Sequence, residues 1–514
     1  MSLYINSDVE LVKKNWELIM AEVEKERYLV LEPSYDEMKN VHNIILDFIR
    51  SKKRKIYGGF ALNALVKQKN SKDAIYKPDK IADIDFYSPK PINDLMELCN
   101  LLHEKGFKYV IGREAMHKET YSLWVNTLMY CDISYVPKNI YDRLPFRTID
   151  GLNMIHPHFM MIDYLRMLTD PILSYWRFEN DLKGFKRFVL LQKYYPLPYN
   201  DSSFDSIDKA KTSVQLTSIY KNIYNYLIDK KSIALLGFYA YNYFLLESGL
   251  VKTKNKINFA NIPYYEFISS DYRNDALTLI DSLKKIGDID ETLITHAEFY
   301  PYFQFTGFSV EIYYDGELIA RIYSNNRKRI PYQDVSSCDF VSGKKTKDIV
   351  RLATFPTVLL YGLISLTRAR TNNDNSTKDL YYAFCSQIIS MRNYYLEQNN
   401  KSILDKTIFR EFSVHGIGDT IQPDRERMML IESKKKQNKR YMFRYEPGLD
   451  GVKEPEVGYV FANSSGNKII NIKNLRLSDY VLEEQIEEDV ETSDIKEDEV
   501  VKESEIETVG DMGK

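Results

Sequence analysis

The sequence predicts an α/β (α+β) protein in which two related domains follow one another, each a small mixed sheet flanked by helices. Amphipathic helical runs alternate with short strands along much of the chain. A series of short motifs recurs in the same order in the second half, which indicates a duplicated unit. A chain of 514 residues with 44% hydrophobic and 28% charged content is too long for one core and is ordinary for a globular protein.

The predicted organisation has an N-terminal helical part, two domains and a C-terminal extension. The boundaries are 1–51 for the helical segment, 52–200 for the first domain with its following helices, 201–232 for a helical connector, 233–400 for the second domain, 401–482 for a basic and aromatic segment and 483–514 for an acidic tail. The tail carries a net charge of −11 against −3 for the whole chain, which leaves +8 on the body. We expect a disordered tail and a body whose charge fits a nucleic-acid binder.

The N-terminal segment is predicted to form helices over residues 8–28 and 35–51. Ser34 and Glu37 form a capping-box pattern ahead of the second amphipathic run. Beyond it, the pair Gly58-Gly59 predicts a tight turn that opens a short helix. Because backbone N–H groups at a helix N-terminus bind anions, this turn suits a phosphate.

Two aspartates mark the strand that follows. Asp83 and Asp85 alternate with apolar residues, so both carboxylates lie on one face of the strand, roughly 7 Å apart. Such carboxylates repel each other unless a cation lies between them. The strand predicted over residues 127–136 adds Asp132 as a third acid, and it could lie beside the first strand.

The rest of the first domain alternates between helices and strands. A helix is predicted over residues 93–105, ended by Gly106. Strands over residues 107–112 and 120–125 precede the one that carries Asp132. Aromatic-rich helices are then predicted over residues 156–195.

Three carboxylates on neighbouring strands can hold two divalent ions. Mg²⁺ or Mn²⁺ is favoured, because carboxylate oxygens are hard ligands and no cluster of Cys and His lies nearby in the sequence. The alternative is that Asp83, Asp85 and Asp132 form a structural ion-pair cluster. Asn63, one helical turn after the glycine pair, either faces a bound nucleotide or caps and packs locally.

The second half repeats the first with altered chemistry. The motif from Gly58 to Asn63 (GGFALN) recurs from Gly237 to Asn242 (GFYAYN). In this copy Tyr264 and Glu266 replace the first two aspartates, and Arg321 lies opposite the position of the third. One carboxylate beside an arginine cannot form the same metal site. The first copy is therefore predicted to be the working one, and the second a degenerate scaffold or binding surface.

A basic and aromatic patch lies in the C-terminal segment. Interleaved basic and aromatic side chains could track phosphates and stack bases of single-stranded RNA. The alternative is an exposed turn followed by a basic edge strand. The candidate RNA-binding residues are Lys434, Lys435, Lys436, Arg440, Tyr441 and Arg444.

The cysteine pattern and the hydropathy bear on the compartment. Four widely spaced cysteines form neither a disulfide framework nor a zinc site, which favours a reducing compartment. The N-terminal residues have no secretion-signal pattern, and no run of 18 apolar residues occurs. We therefore expect no membrane association.

The glycine turn followed by three strand aspartates resembles the nucleotidyltransferase superfamily that includes DNA polymerase beta and the poly(A) polymerases. The closer likeness is to the catalytic subunit of poxvirus poly(A) polymerase and its relatives in giant DNA viruses. It rests on residues 56–63 (IYGGFALN), 83–87 (DIDFY) and 131–134 (CDIS), together with the degenerate second half. It covers most of residues 35–400.

The resemblance implies that an RNA 3′-hydroxyl attacks the α-phosphorus of ATP and that pyrophosphate leaves. Asp83 and Asp85 would hold two metal ions, Mg²⁺ or Mn²⁺, and Asp132 would complete the site of the ion that activates the hydroxyl. Gly58 and Gly59 would let the backbone approach the phosphates. A cytoplasmic location, in a viral factory or virion, is implied as well, with a second copy or a separate subunit as a possible source of processivity.

Two other functions remain open on the sequence alone. One is a different nucleotidyltransferase on the same core, such as a uridylyl- or CCA-adding enzyme or a second-messenger synthase. The other is a non-catalytic RNA-binding subunit that uses both copies as platforms. The complete set of three acids argues against the second of these.

Overall fold

The computed structural model describes residues 3–30, 33–77, 80–115, 119–172, 182–202, 214–252, 257–340, 343–419 and 443–455, with a few isolated positions between these ranges. All of them belong to one compact unit that spans residues 1–473. The basic run at 434–441 and the acidic tail at 483–514 lie outside the described residues. What the sequence predicts for those two segments stays a prediction.

Helices form where amphipathic runs meet capping signals. At the start of the second helix, Ser34 accepts a hydrogen bond from the N–H of Glu37 at 3.3 Å, as the capping pattern predicts. Among the described residues, no helix has both the length and the apolar character that a bilayer crossing requires. In chain order the helices are α1 (Asn6–Val30), α2 (Tyr35–Ser51), α3 (Gly58–Lys69), α4 (Pro91–Glu104), α5 (Lys138–Tyr141), α6 (Pro157–Thr169), α7 (Lys183–Tyr194), α8 (Val214–Leu227), α9 (Gly237–Ser248), α10 (Tyr272–Leu283), α11 (Phe355–Thr371), α12 (Asn375–Gln398) and α13 (Pro447–Asp450).

The strands form two eight-stranded sheets within the described part of the chain. The first sheet has the order β16-β3-β4-β5-β2-β1-β7-β6, and the second has the order β10-β11-β12-β9-β8-β14-β13-β15. The strands are β1 (Lys55–Tyr57), β2 (Ile84–Ser88), β3 (Ile111–Glu114), β4 (Thr120–Val125), β5 (Leu128–Tyr135), β6 (Phe146–Ile149), β7 (Leu152–Ile155), β8 (Ile233–Leu235), β9 (Tyr265–Ser269), β10 (Ile294–Phe299), β11 (Ser309–Tyr314), β12 (Glu317–Ser324), β13 (Ile330–Asp339), β14 (Lys344–Ala353), β15 (Gly416–Ile417) and β16 (Arg444–Tyr445).

The two sheets share one topology. Without β16 and β15, the seven strands of the first sheet follow the same order as the seven of the second, with β2 corresponding to β9 and β5 to β12. In both sheets the central strand pairs antiparallel with one neighbour and parallel with the other. The predicted α/β class and the predicted duplication are therefore confirmed, whereas the predicted domain boundaries stay predictions.

Helices cover one face of the first sheet and aromatic rings join the two copies. A side chain at Gly112 of β3 would meet Leu95 and Cys99, so α4 packs closely on that face. On the other face, the ring of Tyr87 contacts the ring of Phe303 from the second copy, with 5.9 Å between their centroids. Asp85 lies on this second face as well, because it is two residues before Tyr87 on β2.

Two local features differ from the sequence prediction, and the pairing of one strand is irregular. β3 begins at Ile111 instead of residue 107, because Gly106 ends α4 with a φ of +87° and Tyr109 also has a positive φ of 52°. The predicted helical stretch over 156–195 contains two helices, α6 and α7, with residues outside the described ranges between them. A bulge between Leu123 and Trp124 interrupts the pairing of β4 with β5, so the faces do not alternate regularly along the whole of β5.

Candidate active site

The structure places two of the three predicted acids, Asp85 and Asp132, on one face of the first sheet, and the third, Asp83, directly before the strand that carries Asp85. Asp83 directly precedes β2, Asp85 lies on β2, and Asp132 lies on β5. β2 and β5 are parallel neighbours, and Asp85 pairs directly with Asp132. Residues in direct register point to the same face of a sheet, so the two carboxylates share one side.

The negative charges of the three aspartates repel one another. Burial raises the pKa of Asp85 well above its usual value, and the negative charges of Asp83 and Asp132 raise it further. Burial also raises the pKa of Asp132, as does the charge of Asp83, while a hydrogen bond from the Ser122 hydroxyl opposes the shift. That bond, from Oγ to Oδ1 of Asp132, measures 2.5 Å. A bound cation would relieve the repulsion among these carboxylates.

The donor set fits a hard divalent ion, although the side chains do not converge on one point. Among the described residues, no three His, Cys, Asp or Glu side chains are arranged to hold an ion in this conformation. Asp83 is exposed, and Asp85 and Asp132 are partly exposed, so carboxylate oxygens face an accessible space. Oxygen ligands of this kind are those that Mg²⁺ and Mn²⁺ prefer.

The glycine turn lies directly against these acids. α3 begins at Gly58, whose φ of +70° lies in the left-handed region that favours glycine. A Cβ at Gly58 would overlap the carboxylate of Asp85, and one at Gly59 would lie 3.0 Å from the guanidinium nitrogens of Arg187. The first backbone N–H groups of α3 have no partners within the helix and are therefore available to an anion.

The side chain of Asn63 hydrogen-bonds to the backbone of the loop that follows α3. Its Oδ1 accepts hydrogen bonds from the backbone N–H groups of Ile75 and Tyr76, at 2.8 and 3.3 Å. In the second copy, Asn242 makes the equivalent contacts to the backbone of Ala260. Because the degenerate copy keeps this bond without the acids, the contacts favour the local packing alternative over a nucleotide contact.

Two basic residues of α7 complete the site, and the sequence did not single them out. Arg187 donates from Nη2 to the hydroxyl of Tyr76 at 2.9 Å, while its buried Nε has no acceptor among the described residues. Lys183 lies one turn earlier on the same helix and is exposed. Both positive charges oppose the upward shift of the Asp85 pKa. The sequence did indicate that Lys183 and Arg187, four residues apart on a predicted helix, share one helix face. It does not indicate what that face packs against.

The second copy keeps the backbone of this site and replaces its chemistry. Gly237 also begins a helix with a positive φ, 57°, and a Cβ there would lie 2.6 Å from Oε2 of Glu266. Arg321 pairs directly with Glu266 across β12 and β9, as Asp132 pairs with Asp85 in the first copy. The predicted correspondence between Arg321 and Asp132 is therefore confirmed.

Arg321 is neutralised by its neighbours within the protein. Its Nε donates to Glu311 at 2.8 Å, and its Nη1 lies 3.5 Å from Oε1 of Glu266. Tyr323 also donates to Glu266 at 2.9 Å. A fixed guanidinium thus balances the carboxylates at this position, so a metal ion is not needed there.

Only one of the predicted RNA-binding residues lies in the described part of the chain. Arg444 is on β16, which pairs with β3 at the edge of the first sheet, so it belongs to a basic edge strand. Its guanidinium is 3.1 Å from Glu446 and its side chain is 60% exposed. The other candidates, Lys434, Lys435, Lys436, Arg440 and Tyr441, lie outside the described residues.

Comparison with known proteins agrees with this arrangement. The family described as poly(A) polymerase catalytic subunit matches residues 43–174. A second family, described as APMV, putative poly(A) polymerase, catalytic subunit, C-terminal, matches residues 190–479. The first match includes all three acids, and the second includes the degenerate copy.

The similar proteins are viral, and they match either most of the chain or less than half of it. The putative poly(A) polymerase catalytic subunit of Acanthamoeba polyphaga mimivirus is 36% identical over 496 residues, which cover 92% of this chain and 84% of the relative. The protein of that name from African swine fever virus (isolate Pig/Kenya/KEN-50/1950) is 32% identical over 41% of each chain. The crystal structure of the Megavirus polyadenylate synthase matches with a TM-score of 0.79 and 36% identity, covering 92% of this chain and 94% of that one. The chain therefore belongs to the viral poly(A) polymerase catalytic subunit family, and it is a nucleotidyltransferase.

Proposed function

We propose that this protein is a template-independent polynucleotide adenylyltransferase that adds AMP from ATP to RNA 3′ ends, with Asp83, Asp85 and Asp132 holding two divalent ions. The observation that carries the proposal is the direct register of Asp85 with Asp132 beside the Gly58 turn. The equivalent register in the second copy joins a glutamate to an arginine. One copy is thus equipped for metal-assisted transfer and the other is not.

The acids, the glycine turn and the basic helix have separate roles in this proposal. The bound ions, Mg²⁺ or Mn²⁺, would neutralise the triphosphate and lower the pKa of the 3′-hydroxyl. Ser122 fixes the orientation of the Asp132 carboxylate through its hydrogen bond. The N–H groups of Gly58 and Gly59 bind phosphate oxygens at the start of α3.

Lys183 and Arg187 extend the phosphate site on the α7 side. Arg187 faces Gly59, and its unsatisfied Nε is a donor that a phosphate oxygen can accept. Arginine suits this role because its planar guanidinium binds phosphate through two parallel hydrogen bonds. In the reaction the 3′-hydroxyl oxygen bonds to the α-phosphorus, the bond from that phosphorus to the bridging oxygen breaks, and pyrophosphate carries away the electron pair. Asn63 supports the site by holding the loop at Ile75, without touching the nucleotide.

A primer-extension assay with each nucleotide tests the proposal. The protein is incubated with labelled ATP, UTP, CTP or GTP, a single-stranded RNA primer and Mg²⁺ or Mn²⁺. We expect a ladder of products with ATP alone, abolished by Asp85→Asn and retained by the matched change Glu266→Gln. A ladder with another nucleotide, or small products without primer, would favour a different nucleotidyltransferase. RNA binding without extension would leave the non-catalytic subunit as the function.

The relatives also support a proposal for the setting of the reaction. Similarity to proteins of mimivirus and African swine fever virus supports action in the cytoplasm of an infected cell. Fractionation of infected cells with an antibody to this protein tests that location. A second copy or a separate processivity subunit stays a prediction, and analytical ultracentrifugation of the pure chain tests the first of these.

A further inference from the structure

A row of polar side chains crosses the first sheet at the level of the acids. Each member pairs directly with the next one on the neighbouring strand. Since residues in direct register share a face, all of them lie on the side of the sheet that carries the acids. From the sheet edge inward the row consists of Arg444 on β16, Arg113 on β3, Ser122 on β4, Asp132 on β5 and Asp85 on β2.

Packing on the opposite face agrees with this orientation. Gly112, next to Arg113 on β3, has no side chain because Leu95 and Cys99 of α4 occupy the space that a Cβ would need. Neighbouring residues on a strand point to opposite faces. The side chain of Arg113 therefore points away from α4 and toward the side of the acids.

Arg113 is exposed, and its guanidinium lies over an aromatic ring. Its guanidinium carbon lies 4.0 Å from the centre of the Trp124 ring, and the residue is exposed. No carboxylate of the described residues forms an ion pair with it, in contrast to Arg444, which contacts Glu446. A guanidinium that is stacked, exposed and not neutralised by a carboxylate is well placed to bind an anion.

The acids thus have positive charge on both sides. Toward β1 and α3 lie Lys183 and Arg187, beside the glycine turn. Toward the sheet edge lie Arg113, about 10 Å from Asp132, and Arg444, about 14 Å from it, counting strand spacings of about 4.8 Å. In an in-line displacement the attacking oxygen approaches the phosphorus on the side opposite the leaving oxygen, which departs. If the α7 side binds the leaving pyrophosphate, the sheet edge lies on the side from which the attacking strand arrives.

We propose that Arg113, stacked on Trp124, and Arg444 bind the phosphodiester backbone of the RNA strand just upstream of its 3′ end. The assignment rests on the proposed function, because it takes the acids as the site of transfer. It adds a direction, since the primer enters over β16 and β3 and ends at Asp132. Backbone contacts of this kind bind single strands without reading their sequence.

Equilibrium binding of a labelled single-stranded RNA oligonucleotide, measured by fluorescence anisotropy over a range of KCl concentrations, tests the proposal. The loss of one charge-assisted phosphate contact in Arg113→Ala should raise the Kd about tenfold. It should also reduce the slope of log K against log salt by about 0.7, the contribution of one phosphate contact on a single strand. Arg113→Lys should keep the wild-type slope, and the KM for ATP at saturating primer should not change in either variant.

Arg147 provides the matched control. It is also an exposed arginine near an aromatic ring, 5.4 Å from the centre of Tyr195, but it lies on β6 at the other end of the sheet. Arg147→Ala should keep the wild-type Kd and salt slope. Arg444→Ala serves as a second test should Arg113→Ala fail to fold, and it should show the same reduction in slope.

The outcomes separate this proposal from the proposed function. A wild-type Kd and salt slope in both Arg113→Ala and Arg444→Ala would overturn the primer path even if the enzyme extends RNA normally. A rise in the KM for ATP of Arg113→Ala as large as the rise in its Kd for RNA would also overturn the primer path, because the substitution would then disturb the whole active site. A wild-type protein that binds RNA through these arginines but transfers no nucleotide would overturn the proposed function instead.

Discussion

Replacing Gly58 and Gly237 with alanine, each in a separate variant, compares the two copies directly. Both glycines begin a helix with a positive φ, but only Gly58 lies in the copy that has the three aspartates. At Gly58 the φ of +70° costs an alanine about 1–2 kcal/mol. In addition, the new Cβ would lie 3.1 Å from Cγ and 3.3 Å from Cβ of Asp85 and would overlap its carboxylate. Asp85 must then move by on the order of 1 Å to regain an ordinary contact distance.

A shift of that size at a catalytic carboxylate costs about 100-fold in rate. We therefore expect Gly58→Ala to lower the rate of AMP transfer about 100-fold and to lower the free energy of unfolding by about 1–2 kcal/mol. Gly237→Ala meets similar strain, with a φ of +57° and Glu266 in contact, and should lose comparable stability. Its transfer rate should stay within about twofold of wild type, because no reacting group moves.

A single-turnover assay at saturating ATP and primer measures the rate of AMP transfer, and urea denaturation measures the free energy of unfolding. Equal losses of stability with a wild-type transfer rate in both alanine variants would refute a catalytic role for the contact between Gly58 and Asp85. An equally complete loss of activity in Gly237→Ala and Gly58→Ala would show instead that the second copy takes part in the chemistry.

Three further substitutions test separate parts of the account. Asp132→Ala should reduce transfer about as severely as the loss of Asp85, measured in the same single-turnover assay, and a mild effect would mean that another acid is the third ligand. Arg187→Ala should raise the KM for ATP about tenfold with little change in the KM for primer, because one charge-assisted phosphate contact is lost; equal effects on both would contradict a triphosphate role. Arg321→Ala should lower the free energy of unfolding by about 3–5 kcal/mol in urea, since it removes the arginine that pairs with both buried acids, Glu266 and Glu311. The folded fraction of that variant should still transfer AMP at the wild-type rate, and an unchanged stability would show that the arginine does not balance these acids.

The parts of the site that could be predicted are those encoded by local patterns. Alternation along a strand predicted that Asp83 and Asp85 share one face; in the structure Asp85 lies on β2 and Asp83 directly precedes it, so the shared face stays a prediction. The glycine pair correctly marked the turn, which lies against Asp85. The repeated motif order predicted that Arg321 stands where the first copy has Asp132, and the register of Arg321 with Glu266 agrees. These inferences need only the period of a strand and the order of motifs along the chain.

The parts that could not be predicted depend on tertiary packing. Arg187 is more than a hundred residues from Gly59 in sequence, and only the packing of α7 brings it to the turn. The use of Asn63 was ambiguous for the same reason, because its partners, the N–H groups at 75 and 76, are set by the path of a loop. The row from Asp132 to Arg113 requires the register of three strands, which no short motif encodes.

The most direct test of the central claim is the number of Mn²⁺ ions bound per chain, measured by electron paramagnetic resonance in the presence of a non-hydrolysable ATP analogue. We expect about two ions for the wild-type protein, consistent with a pair of ions shared by the three acids. Asp85→Asn should lose this binding, while Glu266→Gln should retain it. Undiminished Mn²⁺ binding in Asp85→Asn, or an equal loss in Glu266→Gln, would contradict the assignment of the metal site to the first copy.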